Sequence, residues 1–166
     1  CVKSGVCGKK APTSNLQDEL TGAMVGLARA AYDQPLSDEV TQTLLEGLFT
    51  TVTNVNFDDE AIQRQIEKTR RVKSTLGMPA PEFDMNTLWN ANEDIRSLKS
   101  LILFGIRGMA AYAYHAWVLG YKNDTVNRFL VKALVAIGGE SDADKLLGLV
   151  METGSVNLEC MALLDK

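Results

Sequence analysis

Residues 16–32 read LQDELTGAMVGLARAAY and residues 98–114 read LKSLILFGIRGMAAYAY. In the first stretch Leu16, Leu20, Ala23, Met24, Leu27, Ala28 and Ala31 recur at i, i+3, i+4 and i+7. That period places them on one face of an α-helix. In the second, Leu98, Leu101, Ile102, Ile106, Met109 and Ala113 do the same. The two stretches also match each other at a fixed offset: Leu16 with Leu98, Gly26 with Gly108, Ala28 with Ala110, Ala31 with Ala113 and Tyr32 with Tyr114. Either the chain carries an internal repeat, or two amphipathic helices share a biased composition. The repeat predicts an all-α fold, two tandem three-helix-type bundles packed across each other. Glycine inside a helix is disfavoured by about 1 kcal/mol relative to alanine. Small residues such as Gly26, Ala30, Gly105 and Gly108 are therefore expected where helices cross closely.

Outward from these stretches the punctuation is regular. Residues 1–12 read as a loop, with Gly5, Gly8 and Pro12. Thr13 or Ser14 is a candidate cap for a helix starting near Asn15 and stopping before Pro35. Ser37 caps a second helix carrying Val40, Leu44, Leu48 and Val52. Asp58 caps a third with Ile62, Ile66, Val72 and Leu76. TTVTNVNF, residues 50–57, reads as a helix end and turn because Asn54 and Asn56 favour turns. Residues 77–91 hold two prolines and little periodicity, the expected linker between a bundle at 13–76 and one at 92–166. A long helix from Asn92 or Glu93 ends at Gly120, a suitable left-handed stop. Asn123 or Asp124 opens the next, which ends at Gly138 and Gly139. Ser141 is the expected cap of another, and a last helix is expected from about Ser155.

The bulk properties exclude several functions. The 166 residues carry a net charge of −4 and are 46% hydrophobic. That suffices for a packed core and argues against a nucleic-acid surface, which needs a concentrated basic footprint. The densest basic run, Lys68 to Lys73, is expected to be a solvated helix face. No apolar run approaches the roughly 20 residues of a membrane span. The richest, Leu101 to Leu119, is interrupted by Arg107, His115 and two glycines. Three cysteines are too few for a disulfide scaffold.

Cys1 and Cys7 flank Gly5 on the opening loop, and Gly8 follows. Soft thiolates at this spacing suit an iron–sulfur cluster or zinc. They also suit a local disulfide, or inert thiols. A four-iron cluster held by cysteines needs four thiolates, and only Cys160 and His115 remain. Cys160 sits between Leu158, Met161 and Leu164 and reads as a small buried hydrophobe. His115, among Tyr112, Tyr114 and Trp117, reads as a packing residue rather than a ligand.

Four segments resemble the hybrid-cluster, or prismane, proteins, a family of hydroxylamine reductases. CVKSGVCGKKAPTSNLQDEL (1–20) is similar to the family's C-x5-C-G-K segment leading into a helix that opens L-Q-D. LFTTVTNVNFDDE (48–60) is similar to its T-N-x-N-[FW]-D segment, through Thr53, Asn54, Asn56, Phe57 and Asp58. EDIRSLKSLILFGIRGMAAYAYHAWVLGY (93–121) is similar to its G-x-x-G-x-A-A-Y-x-x-H-A helix, and METGSVNLECMALLD (151–165) to the end of its first domain. The resemblance covers nearly the whole chain.

It implies that Cys1 and Cys7 are the third and fourth ligands of a [4Fe–4S] cluster, with the first C-x2-C pair lying upstream. It implies a cytoplasmic redox enzyme that reduces hydroxylamine to ammonia, or reduces nitric oxide. In that enzyme this part relays electrons from a redox donor towards a hybrid Fe–S–O cluster. That cluster belongs to C-terminal α/β domains of the same parent chain, which also supply the catalytic ligands, so no catalytic residue is assigned here. With two thiolates, residues 1–166 alone are expected to hold no stable four-iron cluster and to be inactive. Nucleic acid and membrane are not expected partners, while self-association through a face left uncovered is. The rival reading is a non-catalytic helical interaction module whose cysteines are incidental.

Overall fold

A computed structural model of the chain describes residues 10–53 and 58–165. The fold is all-helical, with no sheet among the described residues. Its elements are α1 (Ala11–Ala31), α2 (Asp38–Thr53), α3 (Asp59–Thr75), α4 (Met85–Trp89), α5 (Glu93–Val118), α6 (Asp124–Gly139) and α7 (Ala143–Met161). Helices α1, α2 and α3 pack on one another, as do α5, α6 and α7. The two triplets are joined broadly: α2 lies along α5, and α1 lies along α6. One hydrophobic core runs through both, from Leu20, Met24 and Leu27 to Ile106, Leu134 and Leu146. Each leucine or isoleucine so enclosed stabilises the fold by about 1.5–3 kcal/mol.

Most helix starts lie where side-chain caps predict them. The amide of Val40 donates to Ser37 Oγ at 3.2 Å, that of Ala61 to Asp58 Oδ1 at 3.1 Å, and that of Ile95 to Asn92 Oδ1 at 3.0 Å. Val126 N–H is capped by Asn123 Oδ1 at 3.1 Å. Gly120, just beyond α5, takes a φ of 88°, the left-handed stop that glycine permits. Three boundaries differ from expectation. Helix α1 starts at Ala11, ahead of Thr13, because Pro12 fits the first turn, where no amide donor is needed. Asp142, not Ser141, caps α7 through the amides of Asp144 and Lys145. And α7 continues through Gly154 to Met161 as one helix, since its inner face, from Leu146 through Leu149, Thr153 and Val156 to Cys160, stays in register.

Residues 77–91 form a strap rather than a free tether. Phe83 N–H donates to Gly22 O at 3.2 Å. Arg29 donates to Pro81 O at 2.9 Å and to Gly138 O at 2.8 Å, so one guanidinium holds the strap to α1 and α6. Lys73 donates to Ala80 O. The Phe83 ring lies between Arg29 and Lys99, 6.0 and 5.9 Å from their charged groups. Arg70 bonds Glu82 and Glu19 at 2.9 Å each. Its guanidinium holds Glu82 below the ordinary carboxylate pKa. The basic run read as a solvated face is thus largely committed to internal ties, with Lys68 also bonded to Glu46 at 2.6 Å. The strap contains the short helix α4, capped by Asp84.

Candidate functional site

The starts of α1 and α3 meet at one pole of the molecule. The chain reaches α1 directly from the cysteine-bearing segment, through Lys10 and Pro12. It reaches α3 directly from residues 54–57, through Asp58. Thr13 Oγ1 donates to Asp59 Oδ1 at 2.6 Å and pins the two starts together. Thr13 and Gln17 are buried beside the partly buried Leu16, so the first turns of α1 turn polar groups as well as an aliphatic one into the structure. The large majority of buried polar atoms in folded proteins are hydrogen-bonded. The Thr13 pair meets that condition, and the Gln17 carbonyl accepts from Thr21 Oγ1 at 3.0 Å.

One turn further along α1, Asp18 accepts from Trp89 Nε1 at 3.0 Å, which fastens α4 to the same pole. Asp18 is also the charge that offsets the burial of Arg107 on α5. Burial pushes the Arg107 guanidinium below its ordinary pKa, and the nearby Asp18 carboxylate counters this. Arg107 Nε is buried and has no hydrogen-bond partner among the described residues. Beside the pole, Asn15, Asp18, Glu19, Glu82, Asp84 and Asn86 line an acidic cleft of about 340 Å³. Arg70 neutralises two of its carboxylates, Glu19 and Glu82.

The sequence candidates divide clearly. Cys1 and Cys7 lie outside the described residues, as do Asn54, Asn56 and Phe57. What the structure brings together is the segments that lead from them, through Thr13 and Asp59. Cys160 is fully enclosed, and its thiol contacts Met109 O at 3.4 Å. Burial pushes that thiol up to about 11, so it stays protonated and is a poor ligand. His115 is on the surface, edge-on to Phe49 at 5.7 Å, while Tyr114 stacks on Phe49 at 4.7 Å. No group of three His, Cys, Asp or Glu side chains among the described residues could hold a metal ion. Arg107 and Trp89 were missed as part of this pole. The available signal for Arg107 was a lone charge inside the most apolar stretch of the chain.

No helix among the described residues is long and apolar enough to cross a membrane. The model of the Prismane/CO dehydrogenase family matches residues 1–166. The chain is 42% identical, over an alignment of 191 residues, to a hydroxylamine reductase of Chlorobaculum tepidum. It is 40% identical to one of Methanocaldococcus jannaschii and 36% identical to one of Methanococcus vannielii. In each case all of this chain is covered, and the chain spans only 35–36% of the relative's length. With the family match running from the cysteine-bearing segment to the end of α7, the chain belongs to the Prismane/CO dehydrogenase family.

Proposed function

We propose that residues 1–166 are the helical, electron-relaying part of a larger hydroxylamine reductase, in which Cys1 and Cys7 contribute thiolates to a [4Fe–4S] cluster. The observation that carries this reading is the match to proteins named hydroxylamine reductase over the whole of this chain. The reading divides the chain into a cluster loop at 1–12, helical bundles at 13–76 and 92–166, and the connecting segment 77–91. In the parent reaction hydroxylamine takes up two electrons and two protons to give ammonia and water. Nitric oxide is the alternative substrate, and a cytoplasmic setting goes with either.

When bound, a four-iron cluster supplies one-electron transfer. The described residues fix the helix that follows the cysteine-bearing segment. Thr13 and Asp59 tie the helix it feeds to α3, and Asp18 ties that helix to Trp89. Bond breaking at nitrogen is assigned to the part of the parent outside residues 1–166, since the hydroxylamine reductases matched are nearly three times as long as the portion aligned. The test is anaerobic purification of the parent and its Cys7→Ser variant. Iron and sulfide analysis is paired with ammonia production from hydroxylamine under a viologen donor. The variant is expected to lose about four irons per chain and most of its turnover. An unchanged iron content would show that Cys7 is not a ligand.

A further inference from the structure

Helices α5 and α7 run side by side in the same direction. Asp94, Ser97 and Leu98 face Ala143, Asp144 and Leu147 across one groove, and further along Met109 O accepts from Cys160. The close approach is set at Gly105, where an added Cβ would collide with the Thr153 methyl group. The outer flank of this pair is apolar and uncovered. On α7, Leu147, Met151, Leu158 and Met161 recur with Gly154 at alternating spacings of four and three, a straight stripe along one helix face. Met151 and Leu158 are each 71% exposed. On α5, Leu101, Phe104 and Tyr112 flank Gly108 in the same way. No charged residue occupies a position in either stripe, and the one charged group against them is the Arg107 guanidinium, 5.8 Å from the Phe104 ring centroid among the described residues.

Two further features lie on this flank. Gly108 and Gly154 sit mid-helix, where glycine is disfavoured relative to alanine. An added Cβ at either would meet nothing within 4 Å, so nothing within the described residues requires glycine there. At Gly105 the chain itself supplies the reason; at Gly108 and Gly154 it does not. On α7, three positions beyond Gly154, Asn157 Oδ1 is buried with no hydrogen-bond partner among the described residues. Apolar rims, a glycine-floored notch and an idle acceptor make a surface shaped for close backbone approach.

We infer that the α5/α7 flank is the docking surface for the part of the parent chain outside residues 1–166, seated on the Gly108–Gly154 notch. This rests on the reading of the chain as part of a larger hydroxylamine reductase. The choice of occupant follows from size and charge. The relatives are nearly three times as long as the portion matched here, so each carries ample protein to cover this face. A charge-free stripe is the mark of a permanently covered interface core rather than of a transient polar contact.

The test is photo-crosslinking of the full-length parent with Met151 replaced by benzoylphenylalanine, followed by digestion and mass spectrometry. A crosslink within one chain to a peptide outside residues 1–166 is the expected result. A crosslink between two copies would overturn the assignment, and so would one confined to residues 1–166 or none at all. Gly154→Leu is the second probe. Within residues 1–166 it enters open space and raises helix propensity. A fall of several degrees in the parent's thermal midpoint therefore reports the docked segment, and an unchanged or raised midpoint counts against it. Neither readout depends on bound iron, so failure here is separable from failure of the Cys7→Ser test.

Discussion

Thr13 and Asp59, 46 positions apart, share a 2.6 Å hydrogen bond that closes the pole where the cysteine-bearing segment enters the fold. The donor is buried and the acceptor opens α3, so the bond joins two helices at their first turns. Thr13→Val keeps the shape and removes the donor. It is expected to lower stability by about 1 kcal/mol, the net worth of one such bond. Asp59→Ala also removes a carboxylate that favours the α3 N-terminus, so its loss should be the larger. Urea denaturation of the parent and both variants checks the order. Equal stability of all three would show that the pole is held by something else.

The strap gives a prediction in pH. Arg70 holds Glu82 below the ordinary value of 4.5, chiefly through their hydrogen bond. A carboxylate lowered in the folded state stabilises fully above its unfolded pKa, and the effect is lost as pH falls through the folded one. Both partners are partly solvated, so Arg70→Ala should cost only about 1 kcal/mol at neutral pH. The gap between wild type and variant should then close as pH drops below about 4.5. Parallel denaturation curves across pH 3–7 measure it. A pH-independent gap would mean that packing of the Arg70 stem, not charge, is what the substitution removes.

Glycines separate close approach from mere tolerance. An added Cβ at Gly22 would collide with the Phe83 carbonyl, backbone that cannot swing aside. Gly22→Ala should therefore release the strap and cost at least about 2 kcal/mol, as overpacking does. At Gly148 an added Cβ meets nothing. Gly148→Ala should stabilise by about 0.5–1 kcal/mol from helix propensity alone. Gly47→Ala falls between, because what it meets is the flexible Met24 thioether. Thermal midpoints of the three variants should rank in that order, and a neutral Gly22→Ala would mean that the strap does not lie against α1 as described.

Much of this fold was legible because helices declare themselves locally. The period of Leu98, Ile102, Ile106 and Met109 fixed a buried face, and Ser37, Asp58, Asn92 and Asn123 marked helix starts by chemistry that acts within three residues. What stayed hidden depends on contacts distant in sequence. Arg29 looks like any surface arginine until the 109-residue reach to Gly138 is seen. Arg70 and Lys73 read as solvated for the same reason. A separate last helix from about Ser155 was expected, yet the continuous inner face of α7 carries one helix through Gly154. At the candidate site the cysteine spacing was visible in the sequence. The pairing of Thr13 with Asp59 was not, since neither residue type signals a partner 46 positions away.

Cys160 gives the sharpest check on which sulfur does chemistry. It is completely enclosed, its thiol contacts the Met109 carbonyl, and burial pushes its pKa up from 9.0 to about 11. At pH 8 only about one part in a thousand would be thiolate, the form that alkylates and binds metal. Iodoacetamide should leave it unmodified in the native parent and label it on denaturation. Cys160→Ala should leave iron and sulfide content unchanged while lowering stability by about 1 kcal/mol through the small cavity it opens. The alkaline limb carries its own signature. A thiol raised in the folded state stabilises fully below its unfolded pKa, and that contribution drains away as pH rises through the folded value. Wild type should thus lose stability between about pH 9 and pH 11, and Cys160→Ala should lose less over that window. Iron loss in Cys160→Ala would move the ligand assignment from the opening loop to α7, and rapid native alkylation would show that the α5/α7 seam opens to solvent.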